Sequence, residues 1–281
     1  WSHAGRDLAR QERTTNDKAL NPMTTDLFDL SGKVALITGG NSGIGLGFAR
    51  GVAKHGADVC IWGTNADKNT AAASEIAEFG FGVHSIQCDV SDEQAVERSF
   101  AETLERFGRV DACFANAGVA KSGRFEDFSS EDWRHVMDVN LDGLFYTLRS
   151  AAKHMKQRAE AGDTGGRLIG TSSLGALMGM ARVEAYGASK GAVISMMQAL
   201  AIEYAKHGIT ANSILPGHIE TAMTENNYRN EKFANAILPR IPARRWGEPA
   251  DFEGIAVYLM SDTSRYHTGD SFLIDGGFFL Y

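Results

Sequence analysis

Residues 33–63 read KVALITGGNSGIGLGFARGVAKHGADVCIWG, and this stretch decides the fold. Val34 to Thr38 is a short apolar run with β-branched residues, which reads as a buried strand. Glycines then punctuate the chain, a helical pattern carries it to Lys54, and a second apolar run, Asp58 to Trp62, starts just after Gly56. Strand, glycine-rich turn, helix and strand in that order make a βαβ unit, whose two strands run parallel because a helical crossover joins them.

The same alternation continues outward. Further strands are expected at Val83 to Gln87, Val110 to Ala115, Arg167 to Thr171, Thr210 to Leu215 and Ser271 to Ile274. Four of the helices between them stop at a glycine, Gly56, Gly80, Gly108 and Gly208, with a strand directly after. Glycine closes a helix in the left-handed conformation without a Cβ penalty. Three of the four stops also carry a cation, Lys54, Arg106 or Lys206, near the negative end of the helix dipole. The expected fold is α/β: one doubly wound Rossmann-type domain, with a parallel sheet of about seven strands and helices on both faces.

The chain has 281 residues, a formal net charge of −7 and interspersed rather than blocked charges, so a nucleic-acid footprint is not expected. No apolar run approaches a membrane span and no signal peptide is visible. The three cysteines, Cys60, Cys88 and Cys113, lie in apolar runs without metal-ligand spacing and read as buried thiols of a cytoplasmic protein. Residues 1–22 read as a disordered leader or upstream extension and 23–281 as the domain proper.

Thr38-Gly39-Gly40-Asn41-Ser42-Gly43-Ile44-Gly45 links the first strand to its helix. Glycines there let backbone approach a pyrophosphate whose negative charge faces helix N-terminal amides. Farther along, Ser173 precedes Tyr186 by thirteen residues and Lys190 follows it by four. Residues four apart share a helix face, so Lys190 is expected close to Tyr186. Bringing a tyrosine from pKa about 10 to near neutrality takes about 4 kcal/mol, much of which one adjacent cation could supply.

The glycine spacing G-x-x-x-G-x-G, the Tyr186-x-x-x-Lys190 pair and Ser173 together resemble the short-chain dehydrogenase/reductase family over residues 28–278. That resemblance implies hydride transfer between NAD(P) and a secondary alcohol or ketone. Tyr186 would be the general acid/base, Lys190 would tune it and hold the ribose, Ser173 would fix the substrate oxygen, and Asn140 would hold a water beside Lys190. Cofactor contacts are implied at Gly39, Asn41, Ser42, Gly43, Ile44 and Gly45, at Asp89 and Val90, at Asn116, Ala117 and Gly118, and at Pro216, Gly217, Ile219 and Thr221. The family also implies a homotetramer.

The second strand ends Ile61-Trp62-Gly63-Thr64-Asn65, without the acid that favours NAD or the arginine that favours NADP. With no acid to repel a 2′-phosphate, and with Thr64, Asn65 and Lys68 near, the reading leans to NADP; Asn65 is also expected to cap the next helix. Leu174, Leu177, Met178 and Met180 suggest an apolar pocket wall, favouring an aliphatic or aromatic substrate, with polyol and sugar-acid dehydrogenases open as alternatives. Residues 218–246 are expected to form a substrate lid, with His218 an exposed loop residue, and no metal site is suggested. Phe278 to Tyr281 are expected to be buried against another subunit. The reading from another class is a dinucleotide-sensing protein that has lost catalysis; it would be favoured by a missing Ser, Tyr or Lys, and none is missing.

Overall fold

The computed structural model describes residues 27–281, so the leader expected over residues 1–22 lies outside the described residues. Seven strands form the sheet: β1 Val34–Thr38, β2 Asp58–Gly63, β3 Val83–Gln87, β4 Ala112–Ala115, β5 Arg167–Thr171, β6 Thr210–Pro216 and β7 Ser271–Ile274. Their order is β3-β2-β1-β4-β5-β6-β7 and every pairing is parallel. The doubly wound single domain read from the sequence is therefore the fold found. The strand ranges agree with the expected ones, except that β2 and β6 each end one residue later and β4 starts later. Val110 gives its amide to His154 and its carbonyl to Arg158, not to a neighbouring strand.

Helices cover both faces because every residue of β1 is buried and successive residues point to opposite sides. Leu36, Cys60, Trp62, Cys113 and Leu168 face one core. That core is closed by α3 (Glu93–Phe107), α5 (Gly143–Glu160) and α6 (Glu184–Tyr204), through Phe100, Leu148, Met155, Val193 and Met197. Ala35, Ile37, Val59, Ile61 and Phe114 face the other. There α1 (Gly43–Lys54), α2 (Ala66–Ala77) and α9 (Glu253–Met260) contribute Phe48, Val52, Ile76, Val257 and Met260. The four glycines expected to end helices all have positive φ, between +70° and +100°.

The strand order reverses at the neighbours β1 and β4, whose following chains leave to opposite sides of the sheet. This switch point opens a crevice at the carboxyl ends of the strands, the place where such sheets bind ligands. Away from the crevice lining, α1 lies tight against the segment before α9, since a Cβ at Gly47 would stand 2.2 Å from the Pro249 carbonyl oxygen. Gly47→Ala is thus expected to lower stability by about 1–3 kcal/mol in urea unfolding, as overpacked sites do. Gly254→Ala, on α9 with nothing within 4 Å of the new Cβ, should be neutral or stabilising by up to about 1 kcal/mol.

Candidate active site and cofactor cleft

The crevice is a cleft of about 440 Å³ at the carboxyl ends of β1, β2, β4, β5 and β6. Its frame is one hydroxyl. Thr38 Oγ1, buried at the end of β1, accepts from the backbone amides of both Asn116 (2.9 Å) and Ala117 (3.0 Å) beyond β4. Asn116 returns the contact, donating Nδ2 to the Thr38 carbonyl and accepting from Thr171 Oγ1 of β5. Three strand ends are thereby tied together.

Next to this tie, Gly39 has φ +65° and a Cβ there would lie 3.1 Å from Ala117 Cα. A Cβ at Gly45 would be 2.2 Å from the Gly39 carbonyl oxygen. Helix α1 starts here on Ser42, with no acidic residue in its first turn and no side-chain cap. Its first amides have no intrahelical acceptor, and they carry the positive end of the dipole toward the cleft. Backbone brought this close beside donor-rich amides fits the pyrophosphate of a dinucleotide.

Most of the expected cofactor residues line the cleft: Gly39, Asn41, Ser42, Gly43, Ile44, Thr64, Asp89, Val90, Asn116, Ala117, Gly118, Tyr186, Lys190, Pro216, Gly217, Ile219 and Thr221. Two expected contacts are not part of the lining. Gly45 is buried beneath Gly39, and Asn65 spends its side-chain oxygen on the Lys68 amide as the cap of α2. Thr221 lines the cleft while its hydroxyl is engaged with Thr224 in a capping box.

At the other end, α6 is pinned to the end of β5. Ser172 Oγ donates to the Lys190 carbonyl (2.7 Å), and Lys190 Nζ donates to the Thr171 carbonyl (2.7 Å). Ser173 is 8% exposed, its oxygen accepting from the Gly175 amide while its hydroxyl hydrogen-bonds Tyr186. Ser173, Tyr186 and Lys190 thus converge on one wall of the cleft.

Asn140 occupies a π-helical turn, Asp138–Asp142, between α4 (Ser130–Met137) and α5. Such turns insert a residue into a helix and often mark functional positions. Both of its amide hydrogens are used, Nδ2 donating to the Val119 carbonyl and to Ser189 Oγ, while Oδ1 accepts from the Val119 amide and keeps one lone pair. Gly118 sits between it and Lys190, a Cβ there falling 3.2 Å from Asn140 Oδ1 and 3.4 Å from Lys190 Nζ.

The electrostatics differ from the expectation that Lys190 supplies much of the shift that brings Tyr186 toward neutrality. Burial raises the Tyr186 pKa above its ordinary value, and the Ser173 hydrogen bond only partly offsets this. Lys190 faces the tyrosine ring, 5.7 Å from its centroid, and burial brings its own pKa down to about 8. The cation that was to stabilise the phenolate is itself destabilised by desolvation.

Three further expectations are corrected. The loop after Ser173 does not wall the cleft: Leu174 and Met178 pack with Ile241 and Phe278, while Leu177 and Met180 are exposed. His218 is half-buried among Phe278, Trp246 and Phe233, and burial holds its pKa below the usual value. Phe278 is buried within its own chain, leaving Phe279, Leu280 and Tyr281 exposed. Sequence reasoning also missed cleft residues. His135, Val139 and Trp62 had no spacing signal, and Cys88 was read only as a core thiol although it borders Asp89.

The fold and the cleft define a dinucleotide-dependent oxidoreductase. The family profile described as Enoyl-(Acyl carrier protein) reductase matches residues 39–279. The 2-dehydro-3-deoxy-D-gluconate 5-dehydrogenase of Bacillus subtilis is 39% identical over 253 residues, 90% of this chain and 96% of the relative. A short-chain type dehydrogenase/reductase from Mycobacterium marinum superposes with TM-score 0.84 at 35% identity, covering 90% of this chain and 98% of that one. A gluconate 5-dehydrogenase from Burkholderia cenocepacia, in complex with NADP and tartrate, does so with TM-score 0.85 at 32% identity, covering 91% and 98%. This chain belongs to the short-chain dehydrogenase/reductase family and is an NAD(P)-dependent oxidoreductase.

Thr38→Val would leave two buried amides without their acceptor, each worth about 1–3 kcal/mol when unsatisfied. The expected result is a loss of stability of about 2–6 kcal/mol for the two together by urea unfolding, with a smaller thermal shift on adding NADP.

Proposed function

We propose that the chain oxidises, or in reverse forms, a secondary alcohol of a sugar acid or polyol, with a preference for NADP. The observation that carries this is the convergence of Ser173, Tyr186 and Lys190 on a cleft that also opens on the donor-rich start of α1. The loop residues Leu174, Leu177, Met178 and Met180 are not part of the cleft lining, which sets the polar His135 beside apolar Val139, Ile219 and Met223. Relatives named for gluconate and 2-dehydro-3-deoxy-D-gluconate support a polyhydroxylated substrate. The neutral end of β2 supports NADP.

The nicotinamide accepts or donates the hydride. In the oxidising direction Tyr186, as phenolate, takes the hydroxyl proton; in the reducing direction its phenol returns a proton to the forming alkoxide. Ser173 holds the substrate oxygen by donating its hydroxyl. Lys190 supplies positive charge along this wall and a donor for the ribose, and Asn140 acts through a water next to it. Gly39 to Ile44 hold the pyrophosphate, and Asp89, Val90 and the 116–118 turn border the adenosine half.

The segment 218–246 serves as the lid. Its ends are clasped where Glu220 donates its amide to the Gly247 carbonyl and Gly247 donates to the His218 carbonyl, so the intervening short helices leave and rejoin the body at one point. The exposed Phe279, Leu280 and Tyr281 support subunit contact, which we read as a homotetramer. Three buried, unbridged thiols support a reducing, cytoplasmic setting. We read 23–281 as one functional domain with residues 1–22 dispensable.

A 340 nm absorbance screen of NAD and NADP against sugar acids, polyols and simple secondary alcohols tests the reading. Turnover with a sugar acid or polyol and NADP is expected; turnover confined to aliphatic or aromatic alcohols would overturn the substrate class. Tyr186→Phe should lose about 10²–10⁴-fold in turnover while binding nucleotide normally. Because burial keeps the tyrosine protonated at neutral pH, the form needed for oxidation is scarce there and the form needed for reduction abundant. The value of kcat/KM for oxidation should therefore rise by about tenfold per pH unit through the neutral range. Reduction should stay flat and then fall at alkaline pH. An oxidation rate that falls as pH rises would contradict the assignment.

A further inference from the structure

Asn69 lies on α2, outside every motif the sequence singled out, and is 3% exposed. Its Nδ2 donates to two backbone carbonyls, Gly63 (2.9 Å) and Ile86 (3.1 Å), at the ends of β2 and β3. Those carbonyls can only accept, so the amide nitrogen must face them and Oδ1 must point the other way. Oδ1 in turn can only accept, and what it receives is Asn41 Nδ2 at 2.7 Å. The orientation of Asn41, a cleft residue, is therefore dictated from the core.

This pair fills the space above Gly63. A Cβ on Gly63 would come within 2.3 Å of Asn41 Nδ2 and 2.6 Å of Asn69 Oδ1. The position at the end of β2, where an acid would bind a ribose diol, is thus held by a neutral carboxamide anchored from α2. A primary amide nitrogen has two hydrogens. Asn69 takes one and the second remains for a ligand. Among the described residues, no Lys or Arg lines this end of the cleft, the lysine of the lining being Lys190 beside β5.

We propose that Asn69 is a specificity-determining positioning residue. By turning the nitrogen of Asn41 to the place of the missing acid, it presents a neutral donor to the ribose 2′ substituent. The inference rests on the reading that the cleft holds NADP. A donor serves a 2′-phosphate more strongly than a 2′-hydroxyl, since hydrogen bonds to charged groups are worth about twice those between neutral ones. Neutrality avoids the repulsion that a carboxylate would bring to a 2′-phosphate, and the same donor can serve the 2′-hydroxyl of NAD.

The test is isothermal titration of NADP and of NAD into wild type, Asn69→Leu, Asn41→Ala and the double variant. Asn69→Leu is expected to weaken NADP by about tenfold and NAD by less than about threefold. Asn41→Ala should give the same change in the ratio of the two affinities, and the double variant should add little, because both act through one interaction. Equal weakening of both nucleotides by Asn69→Leu, with no ratio change in Asn41→Ala, would overturn the inference and leave Asn69 a packing residue. Should Asn69→Leu fail to fold, Asn41→Asp decides. A carboxylate at this spot should reduce NADP affinity by at least about a hundredfold with NAD retained, and retained NADP affinity would overturn the inference. A wild type that binds NAD but not NADP would instead refute the cofactor reading itself.

Discussion

Thr38 Oγ1 receives the amides of Asn116 and Ala117 from a neighbouring strand, and the rest of the cleft depends on that junction. The two chains leaving β1 and β4 must diverge for the sheet to be doubly wound, and diverging backbones expose amides that would otherwise be orphaned. One hydroxyl satisfies both and fixes the 116–118 turn against the glycine loop. From there the order is transmitted by short steps. Asn116 reaches Thr171, Thr171 receives Lys190, and Ser172 grips the helix that carries Tyr186. Cofactor cradle and proton-transfer wall share one frame, so neither can shift without the other.

Burial is the second theme, and it acts against charge at the site. Lys190 and Tyr186 are desolvated together: the lysine falls to about 8 and the tyrosine rises. Burial favours the neutral form of each, yet a lysine at about 8 keeps its charge at neutral pH. The phenol is therefore ready to give its proton to a forming alkoxide, while the oxidising direction needs the phenolate that higher pH supplies. Ser173 supplies the hydrogen bond that moderates the tyrosine, which gives it a role in tuning as well as in holding the substrate oxygen.

Much of this was legible in the chain because it depends on local chemistry. Apolar runs bounded by glycine located the strands, since a parallel strand buried on both faces has no polar positions to blur the pattern. The spacing of Tyr186 and Lys190 was readable because a helix fixes it. What escaped depends on which buried surface a side chain meets. Leu174, Met178 and Phe278 read as pocket or interface residues, yet they join one another and Ile241 in a separate small core. His218 read as exposed because nothing local announces the aromatic side chains that enclose it. Asn69 looked like an ordinary helix residue, and only the fold shows two strand carbonyls directed at it. The tyrosine's pKa was misjudged for the same reason, as spacing shows a nearby cation and not the loss of solvent around both.

The central claim is that one cleft sets a secondary alcohol against the nicotinamide, with Tyr186 moving the proton. The most direct measurement is isotopic: incubate the enzyme and NADP with sugar acids and polyols deuterated at the carbinol carbon, then inspect C4 of the nicotinamide by NMR. The account predicts deuterium at C4 of the reduced nucleotide, delivered to a single face. A nucleotide that binds the cleft but acquires no deuterium from any deuterated sugar acid or polyol of the panel would contradict it.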